Sequence, residues 1–194
     1  MASQTEIVNT ALTALKQDRV LSIDDDTENA AVMRSIWSLK RDAEMSAHPW
    51  AFAMTRAKLP ASVTAPPFGF ARSFPLPTGY LAMVEVGQNF VMYQPTDDVG
   101  FSIEGSAVLT DEGSPLYVRY IQRVENVGAW PALFAEALAM RLAHSACVRI
   151  TGDRSLKDSI GSDYLMAIRQ ARRQNAIERP PQVVPPDSWW LARL

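Results

Sequence analysis

The run LYVRYIQRV, residues 116–124, decides the fold class, because its side chains separate into a more apolar and a more polar set when read at every second position. A period of two is typical of a β-strand whose two faces meet different surroundings. One face carries Leu116, Val118, Tyr120, Gln122 and Val124. The other, more polar face carries Tyr117, Arg119, Ile121 and Arg123. We therefore predict a long strand here.

Shorter strands are predicted upstream of this run, at residues 80–86, 90–93, 101–104 and 107–110. Turn residues at Gly105-Ser106 separate the strands at 101–104 and 107–110, and turn residues at 111–114 separate the latter from the long strand. Prolines and glycines break residues 51–79 into short pieces. Strands joined by tight turns indicate a meandering antiparallel sheet rather than a parallel βαβ arrangement.

Helical patterns lie on both sides of the predicted sheet. Ser3 and Glu6 have the spacing of a capping box, and an apolar stripe at helical spacing follows them. The acidic run at residues 24–26 lies where a second helix begins, and His48-Pro49 closes that helix.

A second pair of helices follows the predicted sheet. Trp130-Pro131 favours the start of a third helix, Gly152 lies just past its end, and Asp153 or Ser155 caps a fourth. The sequence therefore predicts an α+β fold: a four-helix bundle (1–50 and 126–176) with an antiparallel β module (51–125) inserted between helices 2 and 3. Residues 177–194 are rich in proline, which predicts an extended C-terminal tail.

Composition and charge narrow the function classes. The chain has 194 residues, is 47% hydrophobic and 21% charged, and has a formal net charge of −2, which argues against tight nucleic-acid binding. The densest basic cluster, Arg169, Arg172 and Arg173, is better explained by the dipole at a helix end than by a phosphate site. No signal pattern and no apolar run of roughly 20 residues is found, so we expect synthesis in the host cytoplasm.

Groups that could carry catalysis are scarce. No nucleophile elbow, phosphate loop or dinucleotide fingerprint occurs. The two histidines, His48 and His144, lack the spacing of metal ligands, and the single Cys147 excludes an internal disulfide and a cysteine-based zinc site. Helix capping explains the acidic run at residues 24–26 better than a cation does. We expect no catalytic residue, no cofactor and no metal.

The candidate interface is the tail segment Trp189, Trp190 and Leu191. Two adjacent indoles bury roughly 150–250 Å² each when they dock, and on an extended segment they point to opposite sides. Two interpretations stay open and are equally weighted: the tail folds back on its own bundle, or it straps onto a neighbouring subunit or another partner.

Several segments, in their order and spacing, together resemble the tail tubular protein A family, the head-to-tail adaptors (connectors) of short-tailed bacteriophages. These segments are IVN with AL at residues 7–12, LSIDDDTE (21–28), AHPWAFA (47–53), FPLP (74–77), IEG (103–105), LTDE (109–112) before YVRY (117–120), and PDSW (186–189). The likeness spans nearly the whole chain and departs from the family pattern at residues 56–70.

The resemblance implies a structural protein of the virion tail, without catalysis. Members form a twelve-subunit ring between the portal protein and the tail nozzle (tubular protein B). The helical part contacts neighbours and portal, the β part faces the tail, and genome DNA passes through the channel without sequence-specific binding. The alternative is a small nucleic-acid-binding or regulatory module that reads DNA with the helix pair around residues 151–153. An enzyme acting on the cell wall or on nucleotides is the least favoured class.

Overall fold

The computed structural model describes residues 3–87, 91–92 and 100–178. These residues form four α-helices and two antiparallel sheets, which confirms the predicted α+β fold class. The helices are α1 (Gln4–Ala14), α2 (Glu28–Ser46), α3 (Ala132–Thr151) and α4 (Arg154–Ile177). The strands are β1 (Met54–Leu59), β2 (Arg72–Pro75), β3 (Tyr80–Val86), β4 (Val91–Met92), β5 (Phe101–Glu104), β6 (Ala107–Thr110) and β7 (Leu116–Gln122).

Local signals set the ends of most helices. The capping box is present: the Ser3 hydroxyl accepts a hydrogen bond from the Glu6 amide at 3.1 Å, and the Glu6 carboxylate accepts one from the Ser3 amide at 2.6 Å. Gly152 ends α3 in the left-handed conformation, with φ of 70°. Asp153, rather than Ser155, caps α4 by accepting a hydrogen bond from the Leu156 amide.

The start of α2 differs from the prediction. Thr27 is the capping residue, and its hydroxyl accepts a hydrogen bond from the Ala30 amide at 3.2 Å. Asp25 instead accepts hydrogen bonds from the amides of Leu21 and Ser22, at 2.7 and 3.0 Å. The prediction that the acidic run caps the helix is therefore wrong. Its carboxylates lie before the cap, and that of Asp25 closes a turn in the α1–α2 connection.

The strands form two sheets where the sequence predicted a single meander. One sheet has the order β1-β7-β3-β4 and the other has the order β2-β6-β5. β1 and β2 both lie in the region that the sequence analysis read as broken pieces. The partner of β1 is β7, with Met54 opposite Ile121 and Leu59 opposite Leu116. Strands that pair with distant segments leave no local pattern in the sequence. The prolines and glycines of this region therefore led us to predict no strand there.

β7 has both of its faces covered by other parts of the protein. Leu116, Val118 and Tyr120 of the predicted less polar face are buried, and the strand ends at Gln122, two residues before the predicted end. Ile121, on the face predicted to be more polar, is buried in the core that the helices form. The arginines of that face form ion pairs, Arg119 with Glu85 of β3 and Arg123, just past the strand, with Asp42 of α2.

Two hydrophobic cores lie on opposite faces of the four-stranded sheet. The larger core joins the four helices to one face of this sheet, through Met54, Ile121 and partly buried residues of β3. The smaller core lies between the two sheets and includes Phe74 and Val108 from the three-stranded sheet. The four-stranded sheet is thus a middle layer between the helices and the smaller sheet.

Candidate docking site

The connection between α2 and β1 is held by one side chain of α4. Asn175 accepts a hydrogen bond from the Ala51 amide at 2.7 Å and donates one to the Pro49 carbonyl at 3.2 Å. Its side-chain nitrogen also lies 3.1 Å from Nε2 of His48. The Trp50 indole donates to the carbonyl of Glu44 at 2.9 Å. These bonds attach the C-terminal end of α4 to the point where the chain passes from helix to sheet.

An aromatic cluster packs beside this connection. The rings of Trp50 and Phe134 meet edge to face with centroids 5.0 Å apart, and those of Trp130 and Phe134 at 5.5 Å. Trp37 stacks on Trp130 at 6.1 Å. All three tryptophans are buried and belong to the core. Such contacts fix the aromatic rings relative to one another.

A pocket of about 220 Å³ opens between the first turn of α3 and the last turns of α4. Its wall is mainly apolar and includes Trp50, Leu133, Phe134 and Ala171. Its polar lining comprises Gln174, Asn175 and Glu178. Glu178 is the last residue described before the tail, so the pocket lies where the tail begins. Concave, mainly apolar sites with a few polar groups are typical binding sites for a single large side chain or ligand group.

The predicted interface residues Trp189, Trp190 and Leu191 lie outside the described residues. The sequence analysis did not predict the pocket or the role of Asn175. Both depend on the contact between residues 48–51 and residue 175, and no local spacing in the sequence predicts such a contact. The sequence did indicate this region through two clusters of proline and aromatic residues at helix ends, HPWAF and WPALF.

α4 also presents an exposed face that combines apolar and basic side chains. Of its residues 154–177, Ile160, Ile168, Ala171 and Asn175 are buried. Leu165 and Met166 are 50% and 57% exposed, and the three arginines of the basic cluster are exposed at helical spacing from them. We call this surface, residues 165, 166, 169, 172 and 173, the α4 face.

The basic cluster on the α4 face lies before the last turn of the helix, which holds no basic residue. The dipole effect fades within the last turn. The prediction that these arginines complement the helix dipole is therefore not supported by their position. They are better described as part of an exposed surface.

A buried carboxylate joins three helices. Glu44 of α2 accepts hydrogen bonds from the Tyr164 hydroxyl of α4 at 2.9 and 3.2 Å, and Arg141 of α3 lies 3.9 Å away. The Arg141 guanidinium also lies 5.1 Å from the Tyr164 ring centroid. Burial, followed by the charge and hydrogen bond of Glu44, raises the pKa of Tyr164. This cluster fixes the three helices relative to one another.

A second buried ion pair spans two strands of the four-stranded sheet. Arg119 of β7 donates from one nitrogen to both carboxylate oxygens of Glu85 on β3, at 2.9 and 2.7 Å. Glu85 is completely buried. Nearby on β1, which lies at one edge of the sheet, Arg56 and Lys58 are exposed, and Lys58 lies 5.2 Å from the centroid of the Tyr117 ring. Charged side chains of this kind discourage pairing with a further strand.

The remaining candidate residues from the sequence are dispersed. The His144 ring lies close to Gly161, where an added Cβ would meet it at 3.3 Å. Burial, followed by the charges of Lys157 and Arg141, lowers the pKa of His144. Cys147 is buried, and its thiol donates to the Asp153 carbonyl at 3.4 Å. Across residues 3–87, 91–92 and 100–178, no three side chains of His, Cys, Asp or Glu are grouped as a metal site.

No protein-family model matches this chain, and no curated protein matches it. No helix in the described part of the chain has the length and hydropathy needed to cross a membrane. We therefore infer the function from the residues, their arrangement and the family resemblance of the sequence.

Proposed function

We propose that this chain is a structural head-to-tail adaptor of a short-tailed bacteriophage. It assembles into a ring, with twelve subunits by resemblance, which joins the portal protein to the tail nozzle and surrounds the channel through which DNA passes. The role is one of binding, and the proposal assigns no catalytic residue, cofactor or metal.

The α4 face carries this proposal. Met and Arg are enriched in protein interfaces relative to other surfaces, and this helix presents two half-exposed apolar side chains beside three arginines. Because α4 packs mainly on α3, its outer face is available to a neighbouring subunit or to the portal.

Some segments of the family resemblance lie at structural joints, whereas residues 7–12 lie within α1 and residues 117–120 within β7. Residues 21–28 form the α1–α2 connection together with the cap of α2. Residues 47–53 form the connection that Asn175 holds, and residues 109–120 include the turn between β6 and β7. A resemblance that includes both these connections and buried residues of α1 and β7 supports a shared arrangement of a helical part and a β part.

The deciding measurement is the mass of the chain alone and after mixing with the portal protein encoded by the same phage. We expect a complex with the portal that contains several copies of this chain. Leu165→Asp with Met166→Asp should weaken this complex by about tenfold or more, because buried interface side chains commonly contribute that much. Val63→Asp, at an exposed position in the loop between β1 and β2, is the matched control and should bind normally. A chain that stays monomeric and ignores the portal contradicts the proposal.

One observation favours the nucleic-acid-binding alternative, namely the three exposed arginines on the α4 face. If they bind phosphates, the affinity for DNA should fall with salt with a log–log slope of roughly −3, since each neutralised phosphate contributes about −0.9. Replacing all three arginines with alanine should then abolish that dependence. Weak DNA binding that does not change with salt removes this alternative.

A further inference from the structure

We propose that the pocket between α3 and α4 receives the Trp189-Trp190 pair from the tail of a second copy of this chain. The inference requires only another copy of the protein, so it stands independently of the adaptor role. The pocket and the tryptophan pair that would occupy it both belong to this sequence.

The pocket suits an indole in size and chemistry. An apolar cavity of roughly 150 Å³ holds a benzene molecule. The pocket here, of about 220 Å³, has room for the larger two-ring system. Trp50 and Phe134 in its wall offer ring faces and edges to an incoming aromatic side chain.

The polar lining provides for the indole N–H, which needs an acceptor when it is buried. The groups of Asn175 are already engaged with the α2–β1 connection. Glu178 is exposed, and its carboxylate accepts only a 3.3 Å hydrogen bond from Gln174 within the described residues. A carboxylate has further acceptor positions, so Glu178 can receive the indole hydrogen.

The length of the tail favours a second copy over the chain's own pocket. Glu178 lines the pocket, and Trp189 follows it by 11 residues, counting from 178 to 189. Proline pairs at residues 180–181 and 185–186 favour an extended backbone that advances roughly 3.1 Å per residue, or about 34 Å over this distance. Returning to the starting pocket would require a reversal within residues 182–184, between the two pairs.

The reach of the tail matches the dimension of the helical part. A helix of 24 residues, the length of α4, is about 36 Å long. An extended tail therefore spans roughly one helix length and can carry its tryptophans to the same pocket on a neighbouring copy. Because pocket and tail are different surfaces, the contact is heterologous, and repeated copies join head to tail.

The test uses two full-length variants that carry different tags. One has Gln174→Cys at the pocket, and the other has Ser188→Cys beside the tryptophans. Mixed at high concentration under oxidising conditions, they should form a covalent heterodimer, because a disulfide requires Cα atoms within roughly 7 Å. Adding Trp189→Ala and Trp190→Ala to the Ser188→Cys copy should lower the yield by about tenfold or more. Ser162→Cys, an exposed position in the middle of α4, replaces Gln174→Cys as the control and should give no heterodimer.

Two outcomes overturn the inference. A chain that carries both cysteines and closes within itself, while the mixture gives no heterodimer, shows that the tail folds back on its own bundle. The absence of a cross-link in both experiments shows that the tail does not bind this pocket. Mass spectrometry of the non-reduced products distinguishes these outcomes, and Cys147, which is buried, stays in every variant as an internal reference.

Discussion

Asn175 connects two parts of the chain that lie more than a hundred residues apart. Its amide satisfies the Ala51 N–H and the Pro49 carbonyl, and it is itself buried. A buried polar group that loses its hydrogen-bond partner destabilises the fold by roughly 1–3 kcal/mol. The importance of this residue therefore comes from the partners it satisfies rather than from the area it buries.

Asn175→Ala should lower the free energy of unfolding by about 1–3 kcal/mol, because the Ala51 amide loses its acceptor. Urea denaturation followed by circular dichroism measures the change. Gln174→Ala, at the neighbouring exposed position, should remain within about 0.5 kcal/mol of the natural protein. Equal effects of the two substitutions would contradict the role assigned to Asn175.

Tyr164 gives the stability a predictable pH dependence. Its pKa is raised on folding, first by burial and then by Glu44. The neutral hydroxyl therefore stabilises the folded state below the unfolded pKa of about 10, and this contribution is lost as the pH rises through the folded pKa. Tyr164→Phe should destabilise the protein by about 1–2 kcal/mol near pH 7, since a hydrogen bond to a carboxylate is lost. Denaturation midpoints between pH 7 and pH 11 should show this difference narrowing above about pH 10, and a constant difference would refute the argument.

The structural role of an individual residue was predictable where it depends on residues close to it in the sequence. The capping box at residues 3–6 and the left-handed Gly152 depend on neighbours within a few positions, and the structure confirms both. The cap of α2 was mispredicted because three consecutive carboxylates looked like a stronger signal than one threonine. The hydroxyl of Thr27, however, is the group one residue before the helix.

At the scale of elements, β7 organises the β module, because it pairs with β1 on one side and with β3 on the other. The Glu85–Arg119 ion pair crosses from β3 to β7. Its carboxylate is completely buried. Removing one partner of such a pair leaves an uncompensated charge.

Glu85→Ala should lower the free energy of unfolding by about 3–5 kcal/mol, because Nη1 of Arg119 loses the carboxylate to which it donates. Equilibrium denaturation measures the loss. Glu104→Ala, which removes an exposed carboxylate from β5, should change stability by less than about 0.5 kcal/mol. If Glu85→Ala is as mild as its control, the pair contributes little to the sheet.

Elements were predictable when their own sequence carried the pattern. β3, β5 and β6 have the predicted bounds, because each is a short apolar run bordered by turn residues. β1 and β2 were missed because their identity depends on partners. The exposed charges of β1 conceal its alternation, and its apolar ends are explained only by the strand opposite.

At the scale of the whole molecule, the described helices and sheets bury their cores without the tail. A truncation ending at Glu178 should therefore unfold cooperatively with nearly unchanged stability but lose self-association and portal binding by about tenfold or more. Calorimetry and light scattering separate the two effects. A truncated chain that assembles normally would rule out the tail as a strap.

The sequence could predict the class of the fold but not its layering. Helical and strand periodicities give the types of element, whereas the division into two sheets depends on which strands meet across residues 51–125. The pocket was likewise beyond prediction, because it forms only when the start of α3 meets the end of α4. The tryptophan pair was visible in the sequence as a candidate, and the surface that could receive it was not.

The chain leaves the helices at Met54 and returns beside it at Ile121, because these two residues are direct partners in the antiparallel pair β1–β7. An insertion whose two ends lie side by side can be exchanged without disturbing its host. Evolution could therefore enlarge the loops between residues 59 and 116 while the helices keep their shape, provided that β3 keeps the residues that it packs against the helical core. A chimaera that carries a foreign β module between these two points should therefore fold if the module supplies apolar side chains where β3 meets the helices.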